Sequence, residues 1–266
     1  MRYMFIGAHP DDADLMIGGT ALKAIKNGHH VKFVSASNGD RGHQSMPSTE
    51  LAARRYKEAQ KSASLAGLDE YEILDIHDCE LEVSLAIREK FIRVIRQYAP
   101  DVIVTHRPCD YHADHRAVAQ LVQDCAYLLM VPLYCPDVPI PDVNPVFAYA
   151  YDRFTKPAPV QADAVVEIDS VMEEKFHMLD CHVSQFYEWL PVTRGMKDFS
   201  ADGWTWEQKR AHLDEHWGIR FKTIAEYAQD KLQARYGHPV KYAELFEYSP
   251  YGRNVTLEEF QDLFPF

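Results

Sequence analysis

Two short stretches of this chain concentrate imidazole and carboxylate groups at spacings that suit a metal ion. The first, GAHPDDADLMIGGT (Gly7–Thr20), places His9, Asp11, Asp12 and Asp14 directly after the apolar run Met4-Phe5-Ile6. The second, THRPCDYHADHRAV (Thr105–Val118), places His106, Asp110, His112, Asp114 and His115 after the apolar residues Val102-Ile103-Val104. A catalytic zinc takes three nitrogen or oxygen ligands from the protein and leaves a position for water. His9, Asp12 and His115 would supply that set. A carboxylate beside the ion but not bound to it can take a proton from the water, and Asp11 fits this role. His112 could stabilise an oxyanion or protonate a leaving group, with Asp114 fixing its tautomer. Ferrous iron accepts the same imidazole and carboxylate donors as zinc.

Each residue taken singly has a plainer explanation. An aspartate after a strand is commonly a helix N-cap, and an isolated histidine is more often a surface or core residue. The chain has 13 histidines, so some cluster by accident. The weight therefore rests on the two stretches together. His106 stays undecided at a strand end, and the His29-His30 pair near a helix end suits the helix dipole and no site. Gly18-Gly19 does not fit GxGxxG and falls too late after the first strand for a phosphate loop; close helix packing explains it better.

Apolar runs alternate with helical patterns through the first half of the chain. Tyr3–Ile6, Val31–Ala36, Glu72–Ile76 and Val102–Thr105 read as buried strands, with helices over Gly18–Asn27, Thr49–Ala66 and Leu85–Tyr98 between them. Gly28, Gly67 and Pro100 follow those helices as stop signals. This β-α-β-α order predicts an α/β fold with a mostly parallel sheet covered by helices on both faces. In such sheets ligands sit at the carboxyl ends of the strands, so the two polar stretches would meet above one sheet edge. A helix from Arg116 to about Leu128 follows. Val131–Pro145 then has five prolines in fifteen residues, which denies helix and central strand. Later strands are expected over Val146–Tyr151 and Ala164–Ile168, and helices over Ser170–Gln185 and Glu207–Gln229. No linker or repeat interrupts the chain, and a single domain over residues 1–266 is expected.

Composition narrows the class. A net charge of −12 argues against a nucleic-acid surface or an anionic membrane as partner, and no apolar run approaches the length of a membrane span. Five scattered cysteines without a CxxC pair fit reduced thiols in the cytoplasm. The expected partner is a small molecule. Trp189, Trp204, Trp206, Trp217 and many tyrosines crowd the last third; aromatic faces there could cover a ligand ring, but core and subunit packing is the commoner explanation.

Together, AHPDDADLMIGGT and DYHADHRAV resemble the PIG-L/LmbE-like family of zinc-dependent de-N-acetylases of N-acetylglucosaminyl conjugates. RYKEAQKSASLAG (Arg55–Gly67), KFHMLDCHVSQ (Lys175–Gln185) and KYAELF (Lys241–Phe246) resemble further family stretches. The resemblance implies a Rossmann-like fold and hydrolysis of an acetamido group to acetate and a free amine. It implies His9, Asp12 and His115 as zinc ligands, Asp11 as base, and His112 with Asp114 as the oxyanion and acid pair. It also places Arg55 toward substrate, and Asp14, where the family often has glutamate, toward a substrate hydroxyl. Some relatives assemble, so a homo-oligomer is an expectation from resemblance alone. The alternatives are another metal-dependent hydrolase, such as a phosphoesterase or amidase, and a non-catalytic sugar-binding protein.

Overall fold

Successive side chains of a strand point to opposite faces, and the first strand uses both. In β1 (Arg2–Gly7), Tyr3 and Phe5 enter one apolar core and Met4 and Ile6 the other. A strand buried on both faces reads as an unbroken apolar run, which is why Met4-Phe5-Ile6 shows no alternation. The structure, a computed structural model, describes residues 1–266.

Seven strands form one sheet in the order β3-β2-β1-β4-β5-β7-β6. They are β1, β2 (His30–Ser35), β3 (Glu70–Ile73), β4 (Val102–Thr105), β5 (Val146–Ala150), β6 (Ala164–Glu167) and β7 (Ala243–Ser249). The pairs among β1 to β5 are parallel, and β7 runs antiparallel to both β5 and β6. Helices α1 (Asp12–Lys26), α2 (Ser48–Ala66) and α5 (Met172–Cys181) bury Ile17, Ala63 and Phe176 in the core beneath Tyr3 and Phe5. Helices α3 (Leu85–Tyr98) and α4 (Ala113–Leu128) bury Phe91, Ile95, Leu121 and Val122 in the core beneath Met4 and Ile6. The mostly parallel α/β sheet with helices on both faces is therefore as the sequence implied.

The strand order reverses between β1 and β4. From β1 the chain steps to β2 on one side, while β4 lies on the other. Such a switch point opens a crevice at the strand carboxyl ends. Both polar stretches leave the sheet there.

Some elements differ from the sequence reading. Helix α1 begins at Asp12 and not at Gly18, because Asp12 and Asp14 sit in its first turn, where carboxylates favour the positive end of the helix dipole. Strand β3 covers Glu70–Ile73 and stops opposite Ser35, where β2 itself ends. The expected helix over Ser170–Gln185 divides into a short turn, α5 and a wide π-type turn at Ser184–Trp189. The one over Glu207–Gln229 is Trp206–Leu213, a second wide turn at Asp214–Gly218, and Ile219–Tyr227. Strand β7 went unmarked in the sequence reading.

Gly19, the second of the two conspicuous glycines, meets a strand glutamate. Glu244 of β7 accepts hydrogen bonds from the backbone N–H groups of Gly19 (2.8 Å) and Thr20 (2.7 Å) in α1. Lys175 of α5 donates to Glu244 and to the Leu15 carbonyl (2.9 Å). A Cβ on Gly19 would lie 2.7 Å from Cγ2 of Ile168, so glycine is required for this approach. No helix is long and apolar enough to cross a membrane, and the proline-rich Val131–Pro145 has neither helix nor strand.

Candidate metal centre

Asp12 is fixed by the turn that leaves β1. Its Oδ2 accepts from the N–H groups of Ala8 (2.9 Å) and His9 (2.8 Å). Its Oδ1 lies 3.6 Å from Nε2 of His115, and its Oδ2 3.5 Å from Nδ1 of His9. Donor atoms of His9, Asp12 and His115 all fall within 4.8 Å of one another. Tetrahedral zinc with bonds near 2.0–2.1 Å separates its ligand atoms by about 3.3–3.4 Å, so these side chains fit a metal of that size.

The remaining imidazole nitrogens are held by carboxylates. Nδ1 of His115 lies 3.2 Å from Asp110, and Nε2 of His9 lies 3.1 Å from Asp78 and 3.4 Å from Asp114. A carboxylate on the far side of a ligating imidazole fixes its orientation and raises its basicity. The carboxylates also set the charge balance. Burial works against protonated His9, yet Asp114, Asp12 and Asp78 hold its pKa well above the ordinary histidine value. Burial likewise opposes the charge on Asp12, and His115 and His106 hold that carboxyl well below the usual range. Such a centre favours a cation.

His106 belongs beneath the site. It stacks on His115 with ring centroids 4.0 Å apart, and its Nε2 lies 3.2 Å from Oδ2 of Asp12. Burial, followed by the proximity of His115, pulls its pKa down to about 4, so its ring is neutral at pH 7.

Asp11 does not behave as an ordinary N-cap. It occupies that position before α1, but its side chain makes no capping hydrogen bond. Instead Oδ1 accepts from Nη2 of Arg55 at 2.6 Å, and Nη1 of Arg55 donates to the Gly39 carbonyl at 3.0 Å. Burial pushes the Asp11 carboxyl up, and Arg55 opposes that shift.

His112 caps α4: its Nδ1 accepts from the backbone N–H of Asp114 at 3.2 Å. With Nδ1 accepting, the proton of the neutral ring sits on Nε2. Burial, then His9 and His115, holds the His112 pKa below the ordinary value.

Three expectations change at this level. The Asp114 carboxylate does not hold His112; it accepts from the backbone N–H of Cys79 (2.8 Å) and faces His9, while the main chain of Asp114 sets the His112 tautomer. Asp14 does not face a substrate. It is fully buried, bonded to the Ser62 hydroxyl, and lies 3.1 Å from Nε2 of His182. Arg55 does not face a substrate either: it is 2% exposed and spends its guanidinium on Asp11 and Gly39, so it positions the Asp11 carboxylate from behind. The sequence reading also gave no role to Asp78. Its signal was the HDC run (His77–Cys79) beyond β3, a third polar group close to the same sheet edge.

The mostly parallel sheet thus carries, at its switch point, an imidazole and carboxylate cluster whose donor atoms could hold a metal ion. Residues 4–126, which hold both polar stretches, match the family described as PIG-L: GlcNAc-PI de-N-acetylase. Diacetylchitobiose deacetylase of Thermococcus kodakarensis is 28% identical over 203 residues, 73% of this chain and 75% of that protein. A 4-oxalmesaconate hydratase of Pseudomonas putida is 24% identical over 199 residues, 72% of this chain and 76% of its own length. The structure of N,N'-diacetylchitobiose deacetylase from Pyrococcus horikoshii, complexed with its inhibitor MPG, superposes with a TM-score of 0.71 at 25% identity. It covers 94% of this chain and 84% of that one.

Proposed function

We propose that this protein is a metal-dependent de-N-acetylase that hydrolyses the acetamido group of an N-acetylglucosamine-type conjugate to acetate and a free amine. The observation that carries this reading is the pairing of a His9/Asp12/His115 donor set with an adjacent carboxylate, Asp11, held outside that set by Arg55. The similarity to two diacetylchitobiose deacetylases supports the acyl-amide bond and the sugar.

His9, Asp12 and His115 would hold the ion, zinc or ferrous iron. When bound, such an ion lowers the pKa of water toward about 7 and polarises a carbonyl. Asp11, aimed by Arg55, takes the proton of the attacking water. His112, neutral and carrying its proton on Nε2, donates to the oxygen that becomes negative as the tetrahedral carbon forms. One such donor is typically worth about 2.7–4 kcal/mol of barrier. The amine leaves with a proton drawn from Asp11 or His112. A cytoplasmic, single-domain enzyme, with the small-molecule sugar as its partner, completes the reading.

The Pseudomonas relative supports a second reading, in which the same centre activates water for addition to a carbon–carbon double bond. The test is amine release from a panel of N-acetylglucosamine derivatives by zinc-reconstituted protein, alongside hydration of 4-oxalmesaconate, with Asp11→Asn as control. Release of amine that needs Asp11 is the expected result. Hydration without amine release would replace the deacetylase by the hydratase.

A further inference from the structure

Cys79 is one of three non-glycine residues held at positive φ, here 67°. A side chain is costly in this left-handed region, and positions that keep one cluster at functional sites. The residue closes the His77-Asp78-Cys79 run beyond β3, and the reaction above makes no use of its thiol. The turn is pinned beside the candidate metal centre. The Cys79 N–H donates to Oδ2 of Asp114 at 2.8 Å, and the thiol donates to Oδ1 of Asp78 at 3.4 Å.

Donor atoms of Asp78, Cys79 and His112 fall within 4.8 Å of one another, in a set that shares no residue with His9, Asp12 and His115. A further carboxylate borders it. Asp114 offers an oxygen within 4.8 Å of ring nitrogens of His9 and His112, and its buried Oδ1 has no hydrogen-bond partner. Sulfur, imidazole and carboxylate together suit zinc and softer ions such as cadmium, whereas magnesium and calcium take oxygen ligands. Cys79 is exposed, so an ion reaches the set from solvent.

His112 ties this set to the reaction. Its Nδ1 accepts from the Asp114 N–H at 3.2 Å, which keeps the ring proton on Nε2. An ion on Nε2 would displace the proton that the developing oxyanion needs. An ion on Nδ1 would take the lone pair that caps α4, and the ring would lose the bond that aims Nε2. Either mode takes His112 out of its role.

We propose that Asp78, Cys79 and His112 form a second cation site, specific for a soft divalent ion, whose occupation inhibits the enzyme by capturing His112. The thiol releases its proton to solvent as the sulfur–metal bond forms. The inhibition rests on the deacetylase reading; the binding does not.

The probe is cadmium, equilibrated by dialysis with protein that already holds one equivalent of zinc, and both metals are counted by elemental analysis. The expected result is one zinc plus one cadmium, with thiolate-to-cadmium charge-transfer absorption in the ultraviolet. In Cys79→Ser the absorption should vanish and the second ion should bind about tenfold or more weakly. Cys79→Gly suits the left-handed backbone and should lose the second ion without melting below the wild type, which separates a lost ligand from a misfolded turn. Cys109→Ser removes the other exposed thiol and should keep the signal. Amine release from an N-acetylglucosamine derivative should fall about tenfold or more in the wild type at saturating cadmium, and far less in either Cys79 variant at the same concentration. Cadmium that only replaces zinc, absorption that survives both Cys79 variants, or inhibition that is equal with and without the thiol overturns the proposal. So does a second ion that accelerates turnover. If no sugar is deacetylated, the deacetylase reading fails alone, and the Cys79-dependent second equivalent still decides the site.

Discussion

Nη2 of Arg55, on helix α2, donates to Oδ1 of Asp11 at 2.6 Å across 44 residues of sequence. The two belong to different elements, and nearly all solvent is excluded from Arg55. Held this way, the Asp11 carboxylate neither caps α1 nor takes part in the His9/Asp12/His115 donor set.

Asp11→Asn preserves shape and the contact with Arg55 but removes the basic oxygen. Turnover should fall by about 10²–10⁴, the usual worth of a positioned base, with metal content unchanged by elemental analysis. Full activity in the metal-replete variant would remove Asp11 from the base role. Arg55→Met leaves a buried carboxylate without its cation, a loss that typically costs about 3–5 kcal/mol of stability. Arg55→Lys keeps the charge without the fork and should recover most of the melting temperature and little of the turnover.

On His115, Asp110 meets the outer nitrogen and not the one facing the donor set, and its other oxygen accepts from the His112 N–H at 2.8 Å, so its substitution separates holding a ligand from being one. His115→Ala should abolish stoichiometric zinc. Asp110→Asn should weaken zinc by about 10–100-fold, read by competition with a chelator. Equal affinities in Asp110→Asn and wild type would show that the carboxylate does not tune the centre.

Sequence patterns disclosed a good deal of this molecule because the sheet is buried on both faces. Met4-Phe5-Ile6 and Val102-Ile103-Val104 read as strands without further help, and the polar residues after each were bound to meet at the switch point. What stayed hidden is whatever depends on the direction of a side chain. Asp11, Asp12 and Asp14 look alike in sequence, yet one meets Arg55, one the backbone N–H groups of Ala8 and His9, and one Ser62 and His182. Strand β7 was also hidden: Glu244 interrupts its apolar run, and only the partners on α1 and α5 explain a buried carboxylate there.

That interruption carries its own prediction. Gly19→Ala would drive a methyl group to 2.7 Å from Ile168 and 3.0 Å from Glu244. Overpacking of this kind costs about 1–3 kcal/mol. Gly18→Ala meets only ordinary contacts at 3.6 Å and should be near neutral or stabilising, since alanine is the better helix former. Denaturant midpoints of the two single variants check this, and equal midpoints would mean that the sheet yields where the contacts say it cannot.

Glu188, in the wide turn after α5, ties together the loop before α2 and α2 itself. It accepts both guanidinium nitrogens of Arg54 at 2.8 and 2.6 Å, and Nε2 of His43 lies 3.0 Å away. Burial opposes its charge, but Arg54 and then His43 hold its carboxyl below the ordinary value of 4.5. A carboxyl lowered on folding adds stability that is full above its unfolded value and disappears as the pH falls through its folded value. Glu188→Gln should therefore cost about 1–3 kcal/mol at pH 7, the worth of a hydrogen bond to a charged group. The difference should shrink once the pH drops below 4.5, where the wild-type carboxyl takes up its own proton and becomes a neutral partner like glutamine. Thermal melts of both proteins from neutral to acid pH measure it. A gap that widens on acidification would mean that Glu188 is bound in its protonated form and that the pairing with Arg54 does not set its charge.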